Sequence, residues 1–151
     1  MSVGDICRRE VVTITPDAGL CDAARVMREK HVGFLVVVGP ATEKGDRLVQ
    51  GVLTDRDIVV TVVGRDADPK DLKVVDIMTR NPLLIAAGTS VTGALGLMRA
   101  DGVRRVPVVG VRNELVGVLS IDDVLDVVAN QLTAISGAMQ GERALERVVR
   151  P

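Results

Sequence analysis

Apolar residues recur at i, i+3, i+4 and i+7 in two places. Leu20, Ala23, Ala24 and Met27 form one set, and Val91, Ala94, Leu95 and Met98 form the other, 71 positions later. That spacing is the stripe of an amphipathic helix and predicts helices over about 18–30 and 91–100. Each is followed by two short runs of β-branched and aliphatic residues, which predict strands over about 34–38 and 48–53, then 105–109 and 115–119. Shorter runs ahead of the helices predict one strand each, over about 11–15 and 83–86. A second helix closes each unit, over about 56–63 and 122–132.

The chain is therefore two copies of one β-α-β-β-α pattern, a mixed α+β fold. Val37-Val38-Gly39 matches Val108-Val109-Gly110 at the offset of 71. Gly51-Val52-Leu53-Thr54-Asp55-Arg56-Asp57-Ile58 matches Gly117-Val118-Leu119-Ser120-Ile121-Asp122-Asp123-Val124 at 66, so the first copy carries five extra residues between its later strands. They fall within 39–50, where Pro, Gly and charges suit a long hairpin loop. Residues 3–63 form repeat 1, 64–73 a polar linker holding Pro69, and 74–132 repeat 2. In the tail, 133–151, Met139, Ala144, Leu145, Val148 and Val149 alternate with charged residues, which predicts a short amphipathic helix.

Two stretches are too apolar for a half-exposed helix. Residues 58–63, Ile-Val-Val-Thr-Val-Val, are apolar nearly all round, and such a helix needs cover on more than one side. A strand is the rival, because β-branched residues dominate; the capping signal before the stretch favours a helix. Val124, Leu125, Val127, Val128 and Leu132 pose the same problem. The expected cover is the other repeat, together with a second copy of the chain in a homodimer.

Composition narrows the function. With 151 residues and 47% hydrophobic content, the chain is long enough for a domain with a real core. No apolar run is long enough to span a bilayer, and the first residues lack the basic and apolar regions of a signal peptide, so a cytoplasmic protein is expected. A net charge of −1 gives no general attraction to nucleic acid or membrane. Phe34 is the sole aromatic residue, which removes any base-stacking platform. Cys7 and Cys21 read as buried thiols without metal spacing. His31 is the sole histidine, no nucleophile lies beside a base, and Asp122 and Asp123 occupy adjacent helix positions that point apart. The chain is not expected to be an enzyme, and neither a metal nor a catalytic cofactor is expected.

The repeated motif carries the remaining chemistry. Thr54 and Ser120 fall at helix N-caps, with Asp57 and Asp123 three residues on, as in a capping box. The same geometry suits a ligand. Free N–H groups at a helix start attract phosphate, and a carboxylate accepts hydrogen bonds from a sugar diol. Both readings stand at this point.

The ordered set of segments, found twice over about residues 3–132, resembles the CBS domain, named after cystathionine beta-synthase. The matching segments are Asp5-Ile6-Cys7 and Asp76-Ile77-Met78-Thr79 at the repeat starts. Val32-Gly33-Phe34-Leu35-Val36-Val37 and Val103-Arg104-Arg105-Val106-Pro107-Val108 match the second strand, and the Gly51 and Gly117 segments match the ligand motif. The resemblance implies a CBS pair, or Bateman module: tandem repeats related by pseudo-two-fold symmetry. It implies a regulatory, signal-transduction module that binds an adenosine-containing ligand, AMP foremost, or ADP, ATP, NAD or S-adenosylmethionine. Ligand-dependent rearrangement of a dimer, or an unidentified protein partner, would supply the readout. The alternative is a ligand-free dimeric scaffold with degenerate clefts.

Two clefts between the repeats follow from the resemblance. Cleft one takes Thr54, Arg56 and Asp57 with Ile85, Ala86, Val103, Arg104, Arg105 and Pro107. Cleft two takes Ser120 and Asp123 with Thr13, Thr15, Pro16, Val32, Gly33 and Phe34. The aspartate would hold the ribose, and the hydroxyl and arginines the phosphate. Cleft one has three arginines, so it is expected to prefer a phosphorylated nucleotide. Cleft two is expected to be weaker, empty, or suited to a less anionic ligand.

Overall fold

A computed structural model describes residues 1–149. Repeat 1 contributes β1 (Thr13–Ile14), α2 (Leu20–Lys30), β2 (Phe34–Val38), β3 (Val49–Thr54) and α3 (Asp55–Ile58); a four-residue helix, α1 (Val3–Ile6), precedes them. Repeat 2 contributes β5 (Ile85–Ala86), α5 (Val91–Asp101), β6 (Arg105–Val109), β7 (Leu115–Ser120) and α6 (Ile121–Val149). It is preceded by α4 (Val74–Ile77) and β4 (Thr79–Arg80). The chain is thus the mixed helix-and-sheet fold that its periodicity predicts, with two sheets ordered β1-β2-β3-β4 and β5-β6-β7.

The two repeats share their register. β1 runs parallel to β2 and β5 to β6, while β2–β3 and β6–β7 are antiparallel hairpins. Each hairpin has an irregularity at the matching step, Val37/Val38 and Val108/Val109. Leu20, Ala23 and Met27 form the buried stripe of α2; Ala94 and Met98 do so in α5. His31 ends α2 in the left-handed conformation, φ 54°, where Gly102 ends α5 at φ 70°. The lone histidine therefore stands at a helix C-terminus.

The repeats exchange their first turns. Val3 and Cys7 pack in the core with Ile85, Met98 and Leu119 of repeat 2, whereas Val74 packs with Leu20, Leu35 and Leu53 of repeat 1. Backbone bonds fix this crossing. Val3 N–H donates to the Thr89 carbonyl and Val74 N–H to that of Ala18, at 2.8 and 2.9 Å. β4 then pairs with β3, and Arg8 pairs with Val118 through two 2.9 Å bonds. This crossing explains the glycine of the repeated motif. A Cβ on Gly117 would sit 2.6 Å from the Arg8 carbonyl oxygen; one on Gly51 would sit 2.8 Å from that of Thr79. Neither position has room for a side chain.

Two expectations about helices change. The helix after β3 tightens into α3 and then widens into a π-helical turn, Val59–Val63, closed by a bond from Gly64 N–H to the Val59 carbonyl. Within one chain Val62 is buried, but Val59, Val60 and Val63 are 57%, 58% and 74% exposed. Pairing of the repeats does not cover them. The expected helix over 122–132 and the separate tail helix are one continuous helix, α6, of 29 residues. Gly137 and Gly141 weaken a helix without breaking it, and no proline interrupts 121–149. Among the described residues, no helix is long and apolar enough to cross a membrane.

The extra residues of repeat 1 form a loop that lies against the other hairpin. Arg112 grips Asp46 with two bonds of 2.9 Å, and Leu115 N–H donates to the Arg47 carbonyl at 2.9 Å. The loop ties the hairpin tips together and lines neither cleft described below.

Candidate functional site

Two cavities adjoin where the repeats meet, sharing Gly33, Phe34 and Arg105 in their walls. Cleft one has a volume of about 630 Å³, and cleft two about 310 Å³.

In cleft one the structure brings together Thr54, Arg56, Asp57, Val103, Arg104, Arg105 and Pro107. Thr54 ends β3 and caps α3. Its Oγ1 accepts from Asp57 N–H at 3.1 Å, and its own N–H donates to Asp57 Oδ2 at 2.9 Å. The capping box is thus real, and it uses one carboxylate oxygen. Asp57 Oδ1 accepts no hydrogen bond from a described residue, and Asp57 lines the cavity. No carboxylate among the described residues lies within ion-pair distance of Arg56. Arg104 and Arg105 reach Asp122 only at 3.9 and 4.0 Å. The three arginines share the wall with Asp55, Asp57 and Asp101, so the formal charge of cleft one is balanced rather than positive.

Ile85 and Ala86 do not line cleft one. Ile85 is in the core at 1% exposure, and both residues pair with β6 through β5. Pro82 and Leu83, just before the strand, form that wall instead.

Cleft two collects Val32, Gly33, Phe34, Ser120 and Asp123, but not Thr13, Thr15 or Pro16. Thr13 lies in a separate depression with Arg9 and Arg47. The Thr15 carbonyl accepts from Ala18 N–H, and that of Pro16 accepts from Val75 N–H, so both belong to the turn that receives the exchanged helix α4. Val11 and Val12 take their place in the cleft, with Glu10 and His31. In both repeats the strand ahead of the helix is only two residues long, so the wall is the chain before it.

The larger surprise is Arg8, which sequence reasoning missed. Its Nε donates to Asp123 Oδ1 at 2.6 Å, while Asp123 Oδ2 accepts from Ser120 N–H at 3.0 Å and from the Ser120 hydroxyl. Both oxygens of Asp123 are therefore occupied. Burial pushes the Asp123 carboxyl up, but the bonds from Ser120 and Arg8 outweigh it and hold it below the usual carboxylate range. Arg8 and Arg105 face Glu10, Asp122 and Asp123, so cleft two is formally the more acidic of the two.

Comparison with known proteins agrees with this architecture. The CBS domain model matches residues 3–64 and 74–130. The uncharacterized protein MK0525 of Methanopyrus kandleri is 33% identical over 127 residues, covering 84% of this chain and 62% of that protein. The chain thus spans less than two thirds of that relative. The hexameric CBS-CP12 protein from bloom-forming cyanobacteria superposes with a TM-score of 0.72 at 29% identity, over 98% of this chain and 83% of that one. The CBS pair of MJ0100, solved with 5′-methylthioadenosine and S-adenosyl-L-methionine, shares the fold at a TM-score of 0.70 and 22% identity, over 85% and 99%. With the CBS model matched twice, over most of the chain, and the fold shared with solved CBS proteins, this chain belongs to the CBS-domain family.

Proposed function

We propose that this chain is a regulatory module that binds an adenosine-containing ligand in cleft one and acts as a homodimer. The observation that carries the reading is that Asp57, one of whose carboxylate oxygens accepts no hydrogen bond from a described residue, lines a cavity whose wall also holds Arg56, Arg104 and Arg105. A ribose diol donates to that oxygen. The adenine lies against Val103, Pro107 and Leu83, and the arginines meet the phosphate. AMP fits this division best: one phosphate matches three arginines already offset by aspartates. Cleft two, closed by Arg8, stays empty or takes a less anionic ligand. The exposed valines at 59, 60 and 63 are the surface that a second copy covers. Ligand binding biases the angle between the repeats, because the cleft walls belong to both, and the dimer or a partner protein reads that change.

The test is a thermal-shift panel of AMP, ADP, ATP, NAD and S-adenosylmethionine on wild type, Asp57→Ala and Asp123→Ala. A ligand at 100 times its Kd stabilises by about 2.7 kcal/mol. The shift is expected in wild type and Asp123→Ala and absent in Asp57→Ala. The converse pattern moves the site to cleft two; no shift with any ligand overturns the sensor in favour of a scaffold.

A further inference from the structure

The clefts leave one large surface without a role, on α6. Beyond Val127 the helix leaves the body of the protein, and every residue from 128 to 140 is exposed. Its sequence there is not that of a solvated helix. Leu125, Val128, Leu132, Ile135 and Met139 recur at alternating steps of three and four, and each is between 45% and 63% exposed. This is the a/d seam of a coiled coil, continuous over two heptads. The flanking e and g positions, Ala129, Gln131, Ser136 and Ala138, carry no charge, so nothing repels a second seam of the same kind.

The length of the seam selects its occupant. Leu125 to Met139 covers roughly 21 Å of helix at 1.5 Å per residue. The π-helical turn Val59–Val63, a second exposed apolar stretch, is five residues long and too short to cover it. A second α6 matches it in length and pattern. Gly137 and Gly141 weaken the projecting helix on its own, so its continuity also calls for a partner. Direction follows from where α6 begins. It starts directly after β7, so an antiparallel pair centred on Leu132 would drive the residues beyond Met139 against the partner's body. A parallel pair places both bodies at one end. Leucine at a with β-branched residues at d also suits more than two strands, so a trimeric or tetrameric mass in solution overturns the two-stranded pair.

We infer that α6 pairs in parallel with α6 of a second copy along Leu125, Val128, Leu132, Ile135 and Met139, so that the dimer is assembled head to head. This rests on the homodimer reading above and gives it an orientation. The test uses the full chain on a Cys21→Ser background, with Leu125→Cys, Leu132→Cys and Met139→Cys made singly and oxidised. All three are expected to form disulfide-linked dimers on a non-reducing gel, against a control without an added cysteine. Cross-linking at Leu132→Cys alone indicates an antiparallel pair and overturns the inference, as does cross-linking at none. A second readout is mass in solution for wild type and the Leu132→Glu, Ile135→Glu double variant. Both positions are exposed in the single chain, so the monomer fold, followed by circular dichroism, should survive. Conversion from dimer to monomer is expected. A double variant that stays dimeric overturns the inference and spares the homodimer; a monomeric wild type overturns both.

Discussion

Cleft one and cleft two start from the same motif and end in different states. In each, a hydroxyl caps a helix and an aspartate three residues on completes the box. Asp57 lines its cavity and keeps one oxygen without a hydrogen bond from a described residue; Asp123 gives its second oxygen to Arg8, and the Asp123 side chain is only 9% exposed while that of Arg8 is 69%. The motif fixes the cap. What crosses from the other repeat decides whether the carboxylate is free for a ligand. At the place related to Arg8 by the offset of 71 stands Thr79, whose hydroxyl cannot form the ion pair. The asymmetry is thus a one-residue difference between repeat starts, delivered by the exchange of first turns.

The comparison can be broken most forcefully at the crossing itself. Gly117→Ala drives a Cβ into the Arg8 backbone and should cost about 1–3 kcal/mol, the range for overpacking, with Gly51→Ala close behind. Urea denaturation midpoints check this, and near-neutral midpoints for both would refute the close approach. Next come the two aspartates. Asp123→Ala removes a buried cap and the Arg8 pair together and should cost about 2 kcal/mol; Asp57→Ala removes a cap alone, about 1 kcal/mol. Equal losses would mean that the Arg8 contact adds nothing.

A finer probe is Arg8→Ala. Arg8 is mostly exposed, so the loss is about 1 kcal/mol after solvent screening. The variant should also let cleft two accept an adenosine ligand, seen as a second binding event in calorimetry. The pH dependence sharpens it. The folded pKa of Asp123 lies below its ordinary value of 3.8, so its stabilisation is fully present above that value and is lost as pH falls through the folded pKa. The stability gap between wild type and Arg8→Ala should therefore close as pH falls from the ordinary value of 3.8 through the folded pKa. A gap that stays constant to the acid limit would show that Arg8 acts on something other than Asp123. The smallest effect belongs to Arg112→Ala. Its bidentate pair with Asp46 lies at the hairpin tips, away from both clefts, with Arg112 half-exposed and Asp46 only 13% exposed, and its loss should lower the melting temperature slightly while leaving ligand binding unchanged.

Much of this was legible because it is local. The α2 and α5 stripes, the strands at Phe34–Val38 and Arg105–Val109, and both capping boxes depend on residues a few positions apart. Residues 11–15 and 83–86 read as strands by composition, yet only Thr13–Ile14 and Ile85–Ala86 pair, which moved the cleft walls forward to Val11, Val12, Pro82 and Leu83. The continuity of α6 is not visible in the repeat pattern, because residues 133–149 have no counterpart in the first copy.

By itself, the sequence determined the repeat, its element order, the two caps and the family resemblance, since periodicity and turn chemistry act over single turns and strands. The tertiary structure alone decided which core each first turn joins, why the motif opens with glycine, and which aspartate is free. Those depend on groups brought together from far along the chain, Arg8 and Asp123 being 115 residues apart, and no local pattern encodes such a meeting.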